Sequence, residues 1–267
     1  MFAELPEIAV VKAIGFYVLV GVGRPFGFLT TFTLIAFTLN KGRMLRVAMA
    51  LAFAGPVIVA NQLVLYDVYI RDAFADRIFM PLKEVALGLM FGFIASLPFY
   101  AFKYAGALVD NYRGESSNGI QFEGSEKVTT AGIIFYLVLF IVFIANDGLW
   151  RLFEVFYLSY QTWPIQDYLP PFSADAALVL IMGLSDTFLL MIQVGLPFLL
   201  MLFFAEMSLM IASRLGQKFG LNSSSFLIKN VAFVFVLPLY VVFVVRTAEV
   251  EMGRVLSAAQ MLGKVFE

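Results

Sequence analysis

The chain contains no cysteine and no histidine. Without thiols there are no disulfides, no thiolate nucleophile and no zinc site built on sulfur. Without imidazole there is no histidine-ligated haem and no Ser-His-Asp arrangement. Only carboxylate, lysine, tyrosine and serine chemistry is left, so neither catalysis nor a cofactor or metal is expected. Charge is scarce as well. Only 14% of the 267 residues are charged, and 18 basic side chains against 19 acidic ones give a formal net charge of −1. That balance argues against a nucleic-acid binder driven by overall charge. The opening MFAELPEIAVVK carries acids where a secretory signal carries basic residues, so no cleavable signal is expected.

What the chain has in abundance is apolar surface. Hydrophobic residues make up 61% of it, with a mean hydropathy of +0.90. Soluble domains sit near about 45–50%, and long uncharged runs mark membrane segments. The expected fold class is an all-α membrane protein built from kinked helical hairpins.

The apolar regions suggest six nominal spans. Ile8–Leu39 exceeds one simple crossing and is interrupted by Gly21, Gly23, Arg24 and Pro25, which predicts a helix to about Val20 and a second piece from Phe26. Val47–Tyr66 is expected to bend at Gly55-Pro56, and the third span starts at Pro81. Val128–Ala145 is free of charge and proline, whereas Asn146–Asp175, with Trp163-Pro164 and Pro170-Pro171, reads as an exposed loop. Ala176–Ala212 is too long for one straight crossing, Val231–Val245 holds Pro238, and the tail from Arg246 has the spacing of an amphipathic helix. Lys and Arg favour Asn40–Arg46, Lys103–Lys127 and Ser213–Asn230, which the positive-inside rule places in the cytoplasm.

The stretch Pro81–Gly119 organises the rest. On a helix, Gly88, Gly92 and Ser96 fall at i, i+4 and i+8 and leave a face almost without side chains, where two backbones can approach closely in lipid. Lys83 and Glu84, being adjacent, are expected to point about 100° apart. Pro98 invites a kink, and the polar run Asp110–Gly119 has too little apolar surface to pack as a helix. A solvated connector and a reversible polar plug are both open readings of Gly106–Gly119; its glycines, Gly106 and Gly114 among them, would let a plug fold into a narrow lumen, and Asp110, Asn111, Arg113 and Glu115 would supply its contacts. Arg24 either snorkels to an interface or faces a partner. Lys83 and Glu84 are expected to pair across subunits. Asp186, Gln193 and Glu206 offer either helix–helix hydrogen bonds or a proton relay.

In the order Arg24–Phe28, Arg43 and Arg46, Lys83-Glu84, Gly88 and Gly92, Leu97–Phe99, Asp110–Gly114, Glu206, Ser213-Arg214 and Ile228-Lys229, the sequence resembles the type III secretion export-apparatus family that includes SctT, SpaR and flagellar FliR. It departs from the family's usual wording at Gly216–Gly220. The resemblance implies a subunit of the inner-membrane export gate, assembled with SctR- and SctS-type subunits and an SctU-type neighbour around a channel for unfolded secreted proteins. It implies an SctR/FliP-like region at 1–175, including a plug at about 103–127, and an SctS/FliQ-like hairpin with its tail at 176–267. It also implies intersubunit roles for Arg24, Lys83, Glu84, Glu206, Arg214 and Lys229, contact with membrane lipid but not nucleic acid, and helices lying partly above the bilayer plane. The rival reading is a stand-alone secondary transporter with broken helices; such proteins often show an internal repeat, and none is visible here.

Overall fold

The computed structural model describes residues 7–32, 43–61, 74–115, 129–167, 174–215 and 225–265. Among them the regular structure is helical: α1 (Glu7–Thr31), α2 (Arg43–Ala60), α3 (Phe74–Arg113), α4 (Thr130–Ala145), α5 (Gly148–Thr162), α6 (Ala174–Leu215) and α7 (Ser225–Val265). The all-α class is as expected, but the helices are longer than the breaker residues suggested. α1 runs unbroken through Gly21, Gly23 and Pro25, α3 through Pro98, α6 through Pro197, and α7 through Pro238 into the tail. A proline removes one intrahelical hydrogen bond, and packed neighbours readily offset that single loss in an apolar helix.

Two more expectations change. The supposed loop Asn146–Asp175 contains α5, and the polar run after Val109 is still helix to Arg113. α5 was hidden by Arg151 and Glu154, yet Leu152, Phe153, Phe156, Tyr157 and Tyr160 recur at helical spacing. Among the described residues four helices are long and apolar enough to cross a membrane, within Val11–Thr31, Arg77–Arg113, Ile181–Ala212 and Lys229–Gly253, and the number is five if the bent pair α4–α5 is one span. Of the six spans expected, Val47–Tyr66 lies partly outside the described residues. α2, apolar over Met44–Ala60, is too short to count.

The chain divides into two compact units, one of Met1–Ser96 with Leu152–Val179 and one of Leu97–Arg151 with Leu180–Val265. In the first, α1 packs on α2, and Ala13, Phe16, Tyr17, Val20, Val57, Met80 and Ile165 form its core. In the second, α4 packs on α7, and α6 and α7 run antiparallel. The Tyr240 hydroxyl donates to the Val194 carbonyl at 2.6 Å, the Phe198 ring stands edge-on to Tyr240, and Glu206 meets Lys229.

Candidate functional site

Each unit holds one cluster of buried polar groups. In the first unit the cluster is set by a seam between α1 and α3. A Cβ at Gly88 would run into the Arg24 carbonyl and sit 2.8 Å from the Phe28 nitrogen, and one at Gly27 would lie 2.8 Å from the Leu89 nitrogen. Side chains larger than hydrogen therefore cannot occupy either position without parting the helices. Ser96 and Thr31 complete the stripe by crossing it: Ser96 Oγ donates to the Thr31 carbonyl at 3.1 Å and Thr31 Oγ1 to the Leu89 carbonyl at 2.9 Å. Gly88, Gly92 and Ser96 lie against α1 of the same chain.

This close approach brings Arg24 against Glu84, both fully buried. Arg24 donates through Nε to Glu84 Oε2 at 2.8 Å and through Nη2 to Oε1 at 3.1 Å, a bidentate fork. Its remaining donors reach Ser159 Oγ and the Trp163 carbonyl, each at 3.0 Å, and its guanidinium lies 3.9 Å from the Tyr160 ring centroid. Lys83 Nζ sits 3.1 Å from Glu84 Oε1 and donates to the carbonyls of Ile165 (2.7 Å) and Asp167 (2.8 Å). Two cations thus share one carboxylate, and the second cation is held mainly by backbone oxygens of the turn after α5. Helical spacing set Lys83 and Glu84 apart, but the long lysine stem swings its ammonium back to its neighbour.

In the second unit α3 ends in a left-handed glycine cap. Gly114 has φ 85°, its N–H donates to the Asn111 carbonyl at 3.1 Å, and the Glu115 N–H donates to the Asp110 carbonyl at 3.0 Å. This is the pairing that satisfies the last carbonyls of a helix, and it gives a physical reason for glycine after Arg113. Asp110, buried, binds the Arg113 guanidinium and accepts the Ala131 N–H at 2.6 Å, at the start of α4. Arg113 also donates to Asn230 Oδ1 at 2.7 Å and lies 3.5 Å from the Phe233 ring centroid. Nearby, Glu206 accepts from the Tyr112 hydroxyl at 2.6 Å and pairs with Lys229 at 2.9 Å. Gly106 packs against the Ala131–Gly132 backbone.

These placements revise the sequence reading. Gly106, Asp110, Asn111 and Arg113 belong to α3 rather than to a loop, Asp110 and Arg113 being satisfied against α4 and α7; Gly114 and Glu115 close the helix. Residues 116–128 of the plug segment lie outside the described residues. Arg24, Lys83, Glu84, Glu206 and Lys229 find counter-charges inside this chain. The Arg214 side chain lies outside the described residues. Asp186 and Gln193 are exposed on α6, apart from Glu206. Sequence reasoning missed Gly27, Ser159 and Tyr112; Gly23 and Gly27, spaced like Gly88 and Gly92, were the available signal for the first.

Asp110→Ala is expected to lower stability by about 2 kcal/mol, because the buried Arg113 loses its carboxylate and the Ala131 N–H its acceptor. A denaturation midpoint in detergent micelles checks this, and an unchanged midpoint would mean that the clamp contributes nothing.

The family described as Bacterial export proteins, family 1, matches residues 16–255. Among curated proteins, the Yop proteins translocation protein T of Yersinia pestis is 27% identical over 186 residues, covering 69% of this chain and 71% of that protein. The Surface presentation of antigens protein SpaR of Shigella sonnei is 26% identical over 168 residues, 62% of this chain and 64% of its own. The Secretion system apparatus protein SsaT of Salmonella typhimurium is 27% identical over 155 residues, 55% and 57% of the two chains.

Proposed function

Because this chain belongs to family 1 of the bacterial export proteins, we propose that it is an SctT-type subunit of a type III export gate in the bacterial inner membrane. It would assemble with SctR- and SctS-type subunits, beside an SctU-type neighbour, around a conduit for unfolded secreted proteins. The observation that carries this reading is the family match across residues 16–255, joined by relatives whose names place them in translocation and secretion apparatus.

The geometry agrees with a structural role. The described charges of both clusters hold helices together. A conduit stave needs rigid internal pairing and an apolar exterior, without chemistry of its own. The division into an SctR/FliP-like part (1–175) and an SctS/FliQ-like part (176–267) belongs to this proposal. The antiparallel α6–α7 pair supports the hairpin half of it. Helices lying partly above the bilayer plane are likewise part of the reading.

The polar segment after α3 is read as the constriction of the closed channel, its base fixed by Asp110 and Arg113. Deleting the chain's gene in its host should abolish release of the system's secreted proteins, and the intact gene should restore it. Deleting only Gly114–Gly119 should leave the complex assembled but raise small-ion leakage. Undiminished secretion in the null strain, with uptake of a small solute lost instead, would favour the transporter. An unchanged conductance would remove the constriction from the account.

A further inference from the structure

In the unit of Leu97–Arg151 and Leu180–Val265, α6 buries one stripe and bares another. Leu190, Val194, Phe198 and Leu202 are buried, and Val194 and Phe198 meet Tyr240 of α7. On the opposite side, at about 100° per residue, alternate steps of four and three from Met182 to Met210 land on exposed residues throughout, among them Asp186, Leu189, Gln193 and Leu196. That spacing is the seam of a left-handed helix pair. It keeps one line of side chains turned to a neighbour that crosses at about 20°.

The seam is not uniformly apolar. Asp186 and Gln193 take the same place in successive heptads, whereas the alternate place is apolar throughout, from Met182 through Leu189 and Leu196 to Phe203 and Met210. This helix holds the most apolar of the candidate spans. Among the described residues neither Asp186 nor Gln193 has a hydrogen bond or an ion pair.

Each simple occupant fails on one part of the pattern. Water accounts for Asp186 but not for its neighbours along the seam, Met182 and Leu189, which are 54% and 61% exposed. Lipid accounts for those two but not for the carboxylate, because an ionisable group at membrane depth faces protein or water. A second copy of this chain brings no cation. Parallel alignment would set Asp186 against Asp186, and the seam holds no lysine or arginine in any register.

We propose that this seam docks one helix of a different polypeptide, apolar at the same spacing, with a lysine or arginine set against Asp186. A hydrogen-bonding side chain of that helix would lie about 10 Å further on, level with Gln193. A polar residue in an otherwise apolar seam fixes register and partner at some cost in stability. Asp186 and Gln193 therefore decide which helix docks and at what height, while the apolar positions supply the contact. The inference rests on the export-gate reading for where the partner is sought, among co-assembled subunits, and on the seam for what that partner carries.

The test is made on the full-length chain in its host, with p-benzoylphenylalanine in place of Leu189 or Leu196. Both positions are exposed, so little packing is removed. After illumination of intact cells, both should form an adduct with the same membrane protein, on a helix that mass spectrometry shows to carry a lysine or arginine. Asp186→Lys should cut the adduct yield at least about tenfold, with the amount of chain in the membrane unchanged. Exchanging the partner's cation for glutamate should restore the yield in that background, which a merely misfolded variant would not allow. Adducts with lipid alone, with a second copy of this chain or with secreted polypeptide would each overturn the seam. So would an adduct helix without a cation, or indifference of the yield to Asp186→Lys. Failure here is distinct from failure of the gate. A chain that co-purifies with the smaller subunits yet gives no protein adduct leaves the gate standing without the seam. A chain that captures one basic helix outside any export assembly leaves the seam standing without the gate.

Discussion

Replacing Glu84 by glutamine is expected to lower stability by about 3–5 kcal/mol, the range found when one member of a buried ion pair is removed and its partner is left uncompensated. The cause is an imbalance built into the first unit. Glu84 is the carboxylate for both Arg24 and Lys83, and all three side chains are buried. Removing it leaves two cations close together out of water. Arg24→Met should cost less, because Glu84 keeps the Lys83 ammonium. Lys83→Met should cost least, about 1–3 kcal/mol, because the bidentate Arg24–Glu84 fork survives and only the bonds to the Ile165 and Asp167 carbonyls are lost. Combining Glu84→Gln with Lys83→Met should be less harmful than the two single costs added, since the second change removes one of the stranded charges. Unfolding midpoints of the four variants in mixed micelles test the order. Equal effects of Lys83→Met and Glu84→Gln would show that the cluster does not act as two cations on one anion.

Gly88→Leu is the second large effect. At the seam the helices are separated by backbone alone, so a side chain has nowhere to turn; a Cβ at Gly88 meets the Arg24 carbonyl and the Phe28 nitrogen. Overpacking a core costs about 1–3 kcal/mol when side chains can shift. Here backbone must move, and the Thr31–Leu89 and Ser96–Thr31 hydrogen bonds go with it. The expected loss is at the top of that range, with the Arg24–Glu84 fork loosened one turn away. Gly15→Ala is the control, in the same helix as Gly27 but with nothing within 4 Å of an added Cβ. It should stabilise by roughly 0.5–1 kcal/mol through backbone entropy alone. If both substitutions behaved alike, close approach would not be what the glycines are for.

These two positions also show what the sequence could and could not disclose. The stripe Gly88, Gly92, Ser96 was legible because helical spacing alone puts small residues on one face. Its counterpart, Gly23 and Gly27, was not, because glycine beside Arg24 and Pro25 reads locally as a break. Tertiary packing overrode that local signal. The charges were recognisable as buried pairing partners, but not with whom: Arg24 and Glu84 are 60 positions apart, and no local periodicity connects them. The family resemblance pointed to neighbouring subunits, and the fold supplies a counter-charge within the chain. Arg113 was visible as a polar residue in a glycine-rich run, which suggested a loop. It is instead the last residue of a forty-residue helix, paired with Asp110 and capped by Gly114. The long helices α6 and α7 run through Pro197 and Pro238, because in an apolar helix packed neighbours offset the one hydrogen bond that a proline removes.

With its described ion pairs closed inside the chain and so much apolar side chain left outward, the molecule reads as a part made to be surrounded. The most direct test is native mass spectrometry after gentle extraction from the membrane of its host. The account predicts one copy of this chain carried with several copies of two smaller hydrophobic proteins. A stable lone monomer that binds and moves a small solute would contradict it.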